Sequence, residues 1–317
     1  MPTATPRKVP AANTLSTRAS SITRALDEVG DKWCLLIIQE VFWGINTFSG
    51  MLAATGVSRG VLSDRLKWLQ SLGCLRKDSD GGRGGSYHLT RKSLGLHASA
   101  MMAIEWERRH FNTPALDSVQ LVHTSCGQPF RAVMRCAHCG ELLSGRDVRY
   151  TPGPGATRDQ RVKKVRRRSS LSAVDVPSPR SVYRNLVDIV GDRWTANVIA
   201  LAFHGHARFD EFHRELPVAT NILSDRLKFL ENRGVFIAEA YQANPQRFEY
   251  RLTQKGWDLF PFFLTLLQWG NEWCDPEGRG APMLLEHTSC GAPLRGVVLC
   301  DQCDEPLEPF SVTVVLP

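Results

Sequence analysis

The feature that most constrains the fold of this 317-residue chain is an internal repeat. Three short segments occur twice: Gly-Asp-Lys-Trp at 30–33 and Gly-Asp-Arg-Trp at 191–194, Leu-Ser-Asp-Arg-Leu-Lys at 62–67 and 223–228, and His-Thr-Ser-Cys-Gly at 123–127 and 287–291. The first two pairs share an offset of 161 residues and the third an offset of 164. Gene duplication explains this similarity, so one structural unit is used twice.

The chain between the copies is predicted to be a linker. Residues 151–180 contain Pro152-Gly153-Pro154-Gly155 and a basic run over 161–168, and they cannot bury enough apolar surface to become ordered. With eight basic and two acidic residues, they carry +6 of the net charge of +7. We therefore expect two separate, nearly neutral domains, and the net charge does not by itself indicate a nucleic-acid partner.

The first copy is predicted to begin with four helices. Apolar residues recur at helical spacing over 22–29, and Asp31 can cap a second helix that ends near Gly44. Phe48 and Ser49 are typical of a hydrophobic staple followed by a cap, which opens a third helix to about residue 55. A turn ending at Ser58 leads into the fourth helix, over 59–71.

A hairpin and a closing helix follow in each copy. Short apolar stretches at 74–75 and 86–89 flank a glycine-rich segment, as in a hairpin with a flexible tip. A long helix begins at Thr90, and the second copy repeats the plan with a hairpin over 235–251 and a long helix from Thr253. The predicted fold is therefore mainly α with small β-wings: two tandem winged helix-turn-helix domains, each followed by a small zinc-ribbon-like hairpin.

The fourth helix has an apolar and a polar face. Leu62, Leu66 and Leu69 form a stripe that can pack, and the polar residues on the other side remain free to enter a DNA major groove. The wing tips are placed for the neighbouring backbone or the minor groove. The predicted DNA contacts are Arg59, Ser63, Lys67 and Arg83 in the first copy, and Thr220, Ser224, Lys228 and Arg247 in the second.

A polar helix face of this kind is, taken alone, more often solvated surface. Its retention in both copies of a duplication whose surroundings have diverged favours a binding role. Arg65 and Arg226 lie beside the apolar stripe, where a structural ion pair is the alternative. The second copy also has Ala219 where the first has the capping Ser58, so its reading helix is expected to start later or to be weaker.

The chain resembles the HxlR family of winged-helix regulators. The resemblance rests on the segments 24–27, 30–33, 48–49, 62–66 and 87–90 and their counterparts in the second copy. It implies that the partner is operator DNA and that dimerisation uses the terminal helices, here near 101–111 and 260–273. If these two helices pair within one chain, the protein is an intramolecular pseudo-dimer; a homodimer of two chains is the other possibility. Many relatives carry a sensing cysteine before the first helix; Ser20 and Ser181 stand there, so that mechanism is not expected.

Each copy ends in the pattern His-x2-Cys-x9-Cys-x2-Cys. Four soft ligands in two close pairs suit tetrahedral zinc, and with all positions filled by protein the metal would be structural, with two Zn²⁺ per chain. Disulfides or inert buried thiols are the alternative. The remaining cysteines, Cys34, Cys74 and Cys274, are interpreted as buried small hydrophobes. The predicted ligands are His123, Cys126, Cys136 and Cys139, then His287, Cys290, Cys300 and Cys303.

These patterns predict a sequence-specific transcription regulator that binds double-stranded DNA through two recognition helices and two wings, and no enzyme. The alternative is a protein-interaction module in which only the basic linker contacts nucleic acid. The absence of a signal-peptide core or membrane-length apolar run predicts a cytoplasmic, nucleoid-associated protein. The predicted units are a disordered tail (1–20), winged helices (21–118 and 181–283), zinc knobs (119–150 and 284–317) and the linker (151–180).

Overall fold

The computed structural model describes residues 14–78, 85–117, 119–162, 182–275 and 277–315. It is mainly helical, with short antiparallel strands, and it contains two similar halves, here called the first repeat (14–162) and the second repeat (182–315). Among the described residues, no helix has both the length and the apolar character needed to cross a bilayer.

The first repeat has seven helices and eight strands among its described residues, with a 3₁₀ turn at Gly145–Asp147. Its helices are α1 (Ser21–Val29), α2 (Lys32–Phe42), α3 (Phe48–Thr55), α4 (Arg59–Ser71), α5 (Arg91–Leu94), α6 (His97–His110) and α7 (Pro114–Asp117). Its strands are β1 (Thr14–Arg18), β2 (Leu75–Lys77), β3 (Tyr87–Leu89), β4 (Gln120–His123), β5 (Gln128–Pro129), β6 (Ala132–Cys136), β7 (Val148–Pro152) and β8 (Arg158–Val162).

The second repeat follows the same order. Its helices are α8 (Arg184–Val190), α9 (Arg193–Phe203), α10 (Phe209–Glu215), α11 (Thr220–Asn232), α12 (Gln254–Trp257) and α13 (Phe260–Trp273). Its strands are β9 (Phe236–Gln242), β10 (Arg247–Leu252), β11 (Met283–His287), β12 (Gly296–Cys300) and β13 (Val312–Val315). The pairs β2–β3 and β9–β10 are the wings.

Side-chain caps fix the starts of the helices before the wing. Asp31 accepts hydrogen bonds from the backbone N–H groups of Trp33 and Cys34, which begins α2 where the sequence predicts it. The cap of α3 is Thr47, whose hydroxyl accepts from Gly50 N–H, so the prediction of Ser49 is wrong. A cap must lie one residue before the helix, and the helix already includes Phe48.

The closing helix is broken, where the sequence predicts one long helix from Thr90. The break between α5 and α6 lies at Gly95 and Leu96, where Leu96 N–H donates to Ser93 O in a tight turn. A Cβ atom on Gly95 would lie 3.1 Å from the indole of Trp269, in the second repeat. The second repeat thus packs closely against the break. This contact between the repeats cannot be predicted from the local sequence.

The strands after the winged helices pair between the repeats. Strand β4 pairs with β13, β7 with β11 and β6 with β12, all antiparallel. In the β6–β12 pair, Met134 lies opposite its counterpart Val298. Equivalent residues meet there, so a pseudo-twofold axis passes between these two strands. The expectation of one self-contained hairpin per repeat is wrong, because β4, β6 and β7 each pair with a strand of the other copy, although β4 also pairs with the short β5 of its own repeat.

Parts of the predicted tail and linker are ordered. Strand β1 pairs with β8 from Thr14 opposite Val162 to Arg18 opposite Arg158, within segments expected to be disordered. Arg24 in α1 holds this ribbon through two hydrogen bonds of 2.8 and 2.9 Å to Asp159. Strand pairing satisfies backbone groups that neither segment could satisfy alone. Most of the basic run, over 163–168, lies outside the described residues.

The two repeats share one hydrophobic core, so the expectation of separate domains is wrong. Helix α1 packs on α13 and α9 of the second repeat, and α8 packs on α6 and α2 of the first. Two equivalent hydrogen bonds cross the axis, from Trp106 Nε1 to Lys255 O at 2.9 Å and from Trp269 Nε1 to Lys92 O at 2.7 Å. Helices α6 and α13 pair, as the family resemblance implies.

Candidate nucleic-acid interface and metal clusters

Helix α4 follows α3 in a helix-turn-helix and presents a polar face to solvent. Leu62, Leu66 and Leu69 are buried in the core, which fixes the rotation of the helix about its axis. Arg59 and Lys67 are exposed. Ser63 lies between them and is half-buried, so the three predicted contacts share one face of α4.

Helix α11 has the same arrangement in the second repeat. Its buried side is made of three leucines, Leu223, Leu227 and Leu230. Thr220, Ser224 and Lys228 are exposed on the other side, as predicted. This face carries one cationic residue where the face of α4 carries two, so the two surfaces are chemically unequal.

An ion pair locks each of these helices to the start of the second helix of its repeat. Arg65 Nε and Nη2 donate to the two carboxylate oxygens of Asp31 at 2.8 and 3.0 Å, and Arg226 donates to Asp192 at 2.8 Å. Both aspartates also cap their helices, so one carboxylate joins a helix start to the reading helix. Arg65 and Arg226 thus have the structural role that the sequence left open.

The two reading helices differ at their first turn. Ser58 Oγ accepts a hydrogen bond from Val61 N–H at the start of α4, whereas Ala219 gives α11 no side-chain cap. Helix α11 nevertheless begins at Thr220, the counterpart of Arg59, and therefore does not start later than α4.

The wings flank the reading helices. Arg247 is exposed at the first residue of β10, beside the turn that joins β9 and β10. Arg208, which precedes α10, donates to Glu249 of this wing at 2.9 to 3.0 Å and stacks on Tyr241, which ties the wing to the helix-turn-helix. Arg83, predicted at the tip of the first wing, lies outside the described residues.

The eight predicted metal ligands form two clusters, but each cluster draws on both repeats. The first contains His123 and Cys126 with Cys300 and Cys303; the second contains Cys136 and Cys139 with His287 and Cys290. The grouping of all four ligands within one repeat is therefore wrong. Because β6 and β12 run side by side, each delivers its Cys-x2-Cys pair to the His-x2-Cys pair of the other repeat.

The spacing of the ligand atoms fits one tetrahedral ion in each cluster. In the first, His123 Nδ1 lies 3.7 Å from Cys126 Sγ and 3.3 Å from Cys303 Sγ. In the second, His287 Nδ1 lies 3.5 Å from Cys139 Sγ and 3.4 Å from Cys290 Sγ. Zinc bonds of about 2.3 Å to sulfur and 2.0 Å to nitrogen place tetrahedral ligand atoms about 3.5 to 3.8 Å apart.

Tight turns bring each pair of ligands together. Gly127 and Gly291 follow the His-x2-Cys pairs with φ of 69° each, and both donate N–H to the carbonyl of the histidine at 2.8 Å. A hydrogen bond from Gln128 N–H lowers the pKa of the Cys126 thiol. Burial acts to raise the pKa of Cys136, but backbone N–H groups of Cys139 and His138 lower it overall. In Cys139 and Cys303 the backbone N–H groups of Glu141 and Glu305 lower the pKa, but burial and the neighbouring Cys136 and Cys300 raise it overall, for Cys303 to about 11. Thiolates are the form that binds metal, so Cys126 and Cys136 are poised for it and Cys139 and Cys303 are not.

The other three cysteines lie apart from these clusters. Cys34, Cys74 and Cys274 are buried, and none of them forms a disulfide. Burial raises the pKa of Cys74 to about 11 and raises that of Cys274 further. Cys74 and Cys274 are therefore protonated near neutral pH and weakly nucleophilic, in agreement with the interpretation of these two as small hydrophobes.

Sequence reasoning missed Glu107, a buried carboxylate that joins the repeats. Its oxygens accept hydrogen bonds from Asn185 Nδ2 at 2.6 Å and from Leu186 N–H at 3.2 Å, at the start of α8. Thr113 Oγ1 donates to it at 2.8 Å. The signal in the sequence is a pair of acidic residues, Glu105 and Glu107, at the end of the apolar run of α6. Only the packing shows that Glu107 is the one that caps α8.

Comparison with known proteins identifies the winged-helix part of each repeat. The model of the HxlR-like helix-turn-helix family matches residues 28–114 and 189–278. An uncharacterized HTH-type transcriptional regulator of Mycobacterium tuberculosis is 38% identical over 127 residues, covering 40% of this chain and 80% of the relative. The regulator YvaP of Bacillus subtilis is 38% identical over 95 residues, covering 30% of this chain and 88% of the relative.

Among solved structures, the redox regulator HypR in its reduced form is 31% identical and covers 29% of this chain and 92% of its own, with a TM-score of 0.28. All eight cluster ligands fall outside the two family-matched regions. Since those regions together span more than half of the chain, the protein belongs to the HxlR-like helix-turn-helix family and carries that family's domain twice.

Proposed function

We propose that the protein is a sequence-specific transcription regulator that binds double-stranded DNA with both repeats. The observation that carries this proposal is the pair of solvent-facing polar surfaces on α4 and α11, each held by buried leucines and an aspartate–arginine pair. A helix held in this way and exposed on one side can enter a major groove as a unit. Such a function requires a cytoplasmic location with access to the nucleoid.

The pseudo-twofold arrangement supports binding to two half-sites by one chain. Helix-turn-helix dimers use two symmetric heads on neighbouring half-sites, and here both heads belong to one polypeptide. Arg59, Ser63 and Lys67 on one head correspond to Thr220, Ser224 and Lys228 on the other, so the half-sites need not be identical. The wings, through Arg247 in the second repeat, would add contacts to the DNA backbone.

Salt-dependent binding to the operator, once selected from a random-sequence library, tests this proposal. Lys67→Ala and Lys228→Ala should each lower the slope of log affinity against log salt by about one unit, because each removes one phosphate contact. Arg295→Ala removes one exposed charge from the metal-cluster region and should leave the slope unchanged. Equal slopes in all four proteins would exclude the two lysines from the interface.

The same assay separates this proposal from the alternative in which only the linker meets nucleic acid. A variant with the basic residues of 161–168 replaced by Gln should keep its preference for the selected sequence and lose only nonspecific affinity. If the sequence preference disappears with the linker charges while the lysine variants behave as wild type, the winged helices are not the DNA-binding surface.

For the two clusters we propose structural zinc, one ion in each. The support is four sulfur and nitrogen ligands at tetrahedral spacing, which leaves no position for a catalytic water. Each ion would hold strands of both repeats together. Purified protein should contain about two zinc ions per chain, and Cys303→Ser should reduce this to about one, since it removes one ligand of the first cluster only.

Cys34→Thr is the matched control, because Thr195 occupies the equivalent position of the second repeat, and it should keep both ions. Protein that contains no zinc and shows paired disulfides among the cluster cysteines by mass spectrometry without reductant would contradict the zinc proposal.

A further inference from the structure

A cavity of about 100 Å³ lies between the two repeats. Its walls come from α2 and α6 of the first repeat and from α8, α13 and β13 of the second. Most of the lining is apolar, with Ile104, Val187 and Phe262 among its side chains. Phe42 and Trp43 line it too and are half-buried, which places part of the cavity wall at the protein surface.

Divergence between the repeats makes this cavity. Helices α6 and α13 are equivalent and both have 14 residues, so their positions compare directly. Four positions that are bulky in α13 are smaller or polar in α6: Phe260, Phe262, Phe263 and Leu266 correspond to His97, Ser99, Ala100 and Ala103. All four residues of α6 line the cavity. The first repeat therefore lacks the aromatic side chains that pack the second.

Gln39 lines the cavity and donates to Glu40 at 3.2 Å, whereas two other polar atoms of the wall have no partner among the described residues. They are His97 Nε2 and Ser99 Oγ, in side chains that are 6% and 5% exposed. Buried polar groups are nearly always hydrogen-bonded, and leaving one unsatisfied costs about 1–3 kcal/mol. Burial lowers the pKa of His97 to about 4, so its ring is neutral near pH 7. The site thus offers two neutral hydrogen-bonding groups in an apolar surround.

We propose that this cavity binds a small, neutral aromatic molecule that carries a hydroxyl group. The apolar walls would accept one ring, and the hydroxyl would pair with Ser99 or His97, whose hydrogen-bonding capacity the protein leaves unused. A charged ligand does not fit, because none of the described residues that line the cavity is an Asp, Glu, Lys or Arg. The equivalent positions of the second repeat hold phenylalanines. Another cavity between the repeats, of about 80 Å³, has the charged residues Arg18, Arg193 and Glu215 in its lining, so we expect one site of the proposed kind per chain.

Because the cavity lies between the repeats, a bound ligand can change how the two repeats are placed relative to each other. Its walls belong to both, and α2 leads through Asp31 to the reading helix α4. A ligand that favours one spacing of the walls would shift the relative position of the two heads. The effect of a ligand on the position of the DNA-binding heads rests on the proposed function, whereas binding of the ligand to the cavity does not.

Calorimetric titration of the full-length protein with phenol, and with benzene as the partner that lacks the hydroxyl, tests the site without DNA. Phenol should bind saturably at one site, and benzene about 2- to 12-fold more weakly for the loss of one hydrogen bond. Ala103→Leu restores the side chain of the second repeat and should weaken phenol binding at least tenfold. Ala240→Leu makes the same change on an exposed strand and should leave it unchanged.

Ser99→Ala keeps the cavity open and should bring phenol to the affinity of benzene if the serine hydroxyl is the partner. His97→Leu, which is closer to histidine in volume than phenylalanine is, should do so if the imidazole is. Absence of saturable phenol binding, or phenol affinity that survives Ala103→Leu, overturns the proposal. So does equal affinity of wild-type protein for phenol and benzene. None of these outcomes depends on DNA binding, so failure here leaves the proposed regulator function standing.

Discussion

His97 shows how one buried side chain couples stability to pH. Burial lowers its pKa from the ordinary 6.5 to about 4 in the folded protein. Below pH 6.5 His97 is protonated in the unfolded chain, whereas in the folded protein it stays neutral down to about pH 4. The unfolded state therefore binds one more proton between these pH values, and the unfolding free energy decreases as the pH falls from 6.5 to 4. The pKa difference corresponds to about 3 kcal/mol.

His97→Phe should therefore flatten the curve of unfolding free energy against pH between 6.5 and 4, measured by urea denaturation. The wild-type protein and the His97→Phe variant have the same metal ligands, so the difference between their two curves reports on His97 alone. His204, whose pKa burial also lowers to about 4, keeps a slope of the same sign in the variant. Exposed His213→Ala serves as control. Parallel curves for wild type and His97→Phe would show that His97 titrates normally when folded.

Also at the scale of single residues, the Asp31–Arg65 pair should contribute more to stability than the exposed charges of the same helix. Both side chains are largely buried and the pair is bidentate, at 2.8 and 3.0 Å. Arg65→Ala leaves Asp31 without its strongest partner and should cost about 1–3 kcal/mol of unfolding free energy. Arg59→Ala removes an exposed charge and should cost less than about 0.5 kcal/mol. Similar losses in both variants would refute the structural role.

At the scale of elements, the starts of α4 and α11 provide a matched comparison. Ala219→Ser should restore to α11 the hydrogen bond that Ser58 makes to Val61 N–H, and should stabilise the protein by about 0.5–2 kcal/mol. Ser58→Ala should cost a similar amount, because it removes the same bond from α4. Denaturation curves of the two variants check the pair, and no gain from Ala219→Ser would mean that α11 satisfies its first turn in another way.

Elements whose signals are local could be predicted from the sequence. Three such features depend on residues within a few positions of each other. They are the aspartate caps, the leucine stripes of α4 and α11, and the two wing hairpins. The β1–β8 ribbon could not be predicted, since it joins residues more than a hundred positions apart. Propensity says nothing about such contacts.

At the scale of the whole molecule, the identity of the cluster residues was predictable and their grouping was not. The spacing His-x2-Cys-x9-Cys-x2-Cys identifies two close ligand pairs per repeat, but it is satisfied equally when the pairs combine within one repeat or across two. The pairing of β6 with β12 determines which pairs combine, because it places Cys136 and Cys300 on neighbouring strands from different repeats. The outcome depends on the dimer-like architecture, which no local pattern specifies.

This architecture makes a prediction about the integrity of the molecule. The repeats share one core, exchange N-terminal helices and strands, and place both ligand clusters between them, so the covalent connection adds little to an association that already buries many apolar side chains. A protease site introduced within 163–181 and then cleaved should leave both halves together at the size of the intact 35.4 kDa chain in gel filtration. Independent domains would separate into two smaller species after cleavage. A chelator should then loosen the cleaved complex more than the intact chain, because cutting makes reassociation bimolecular.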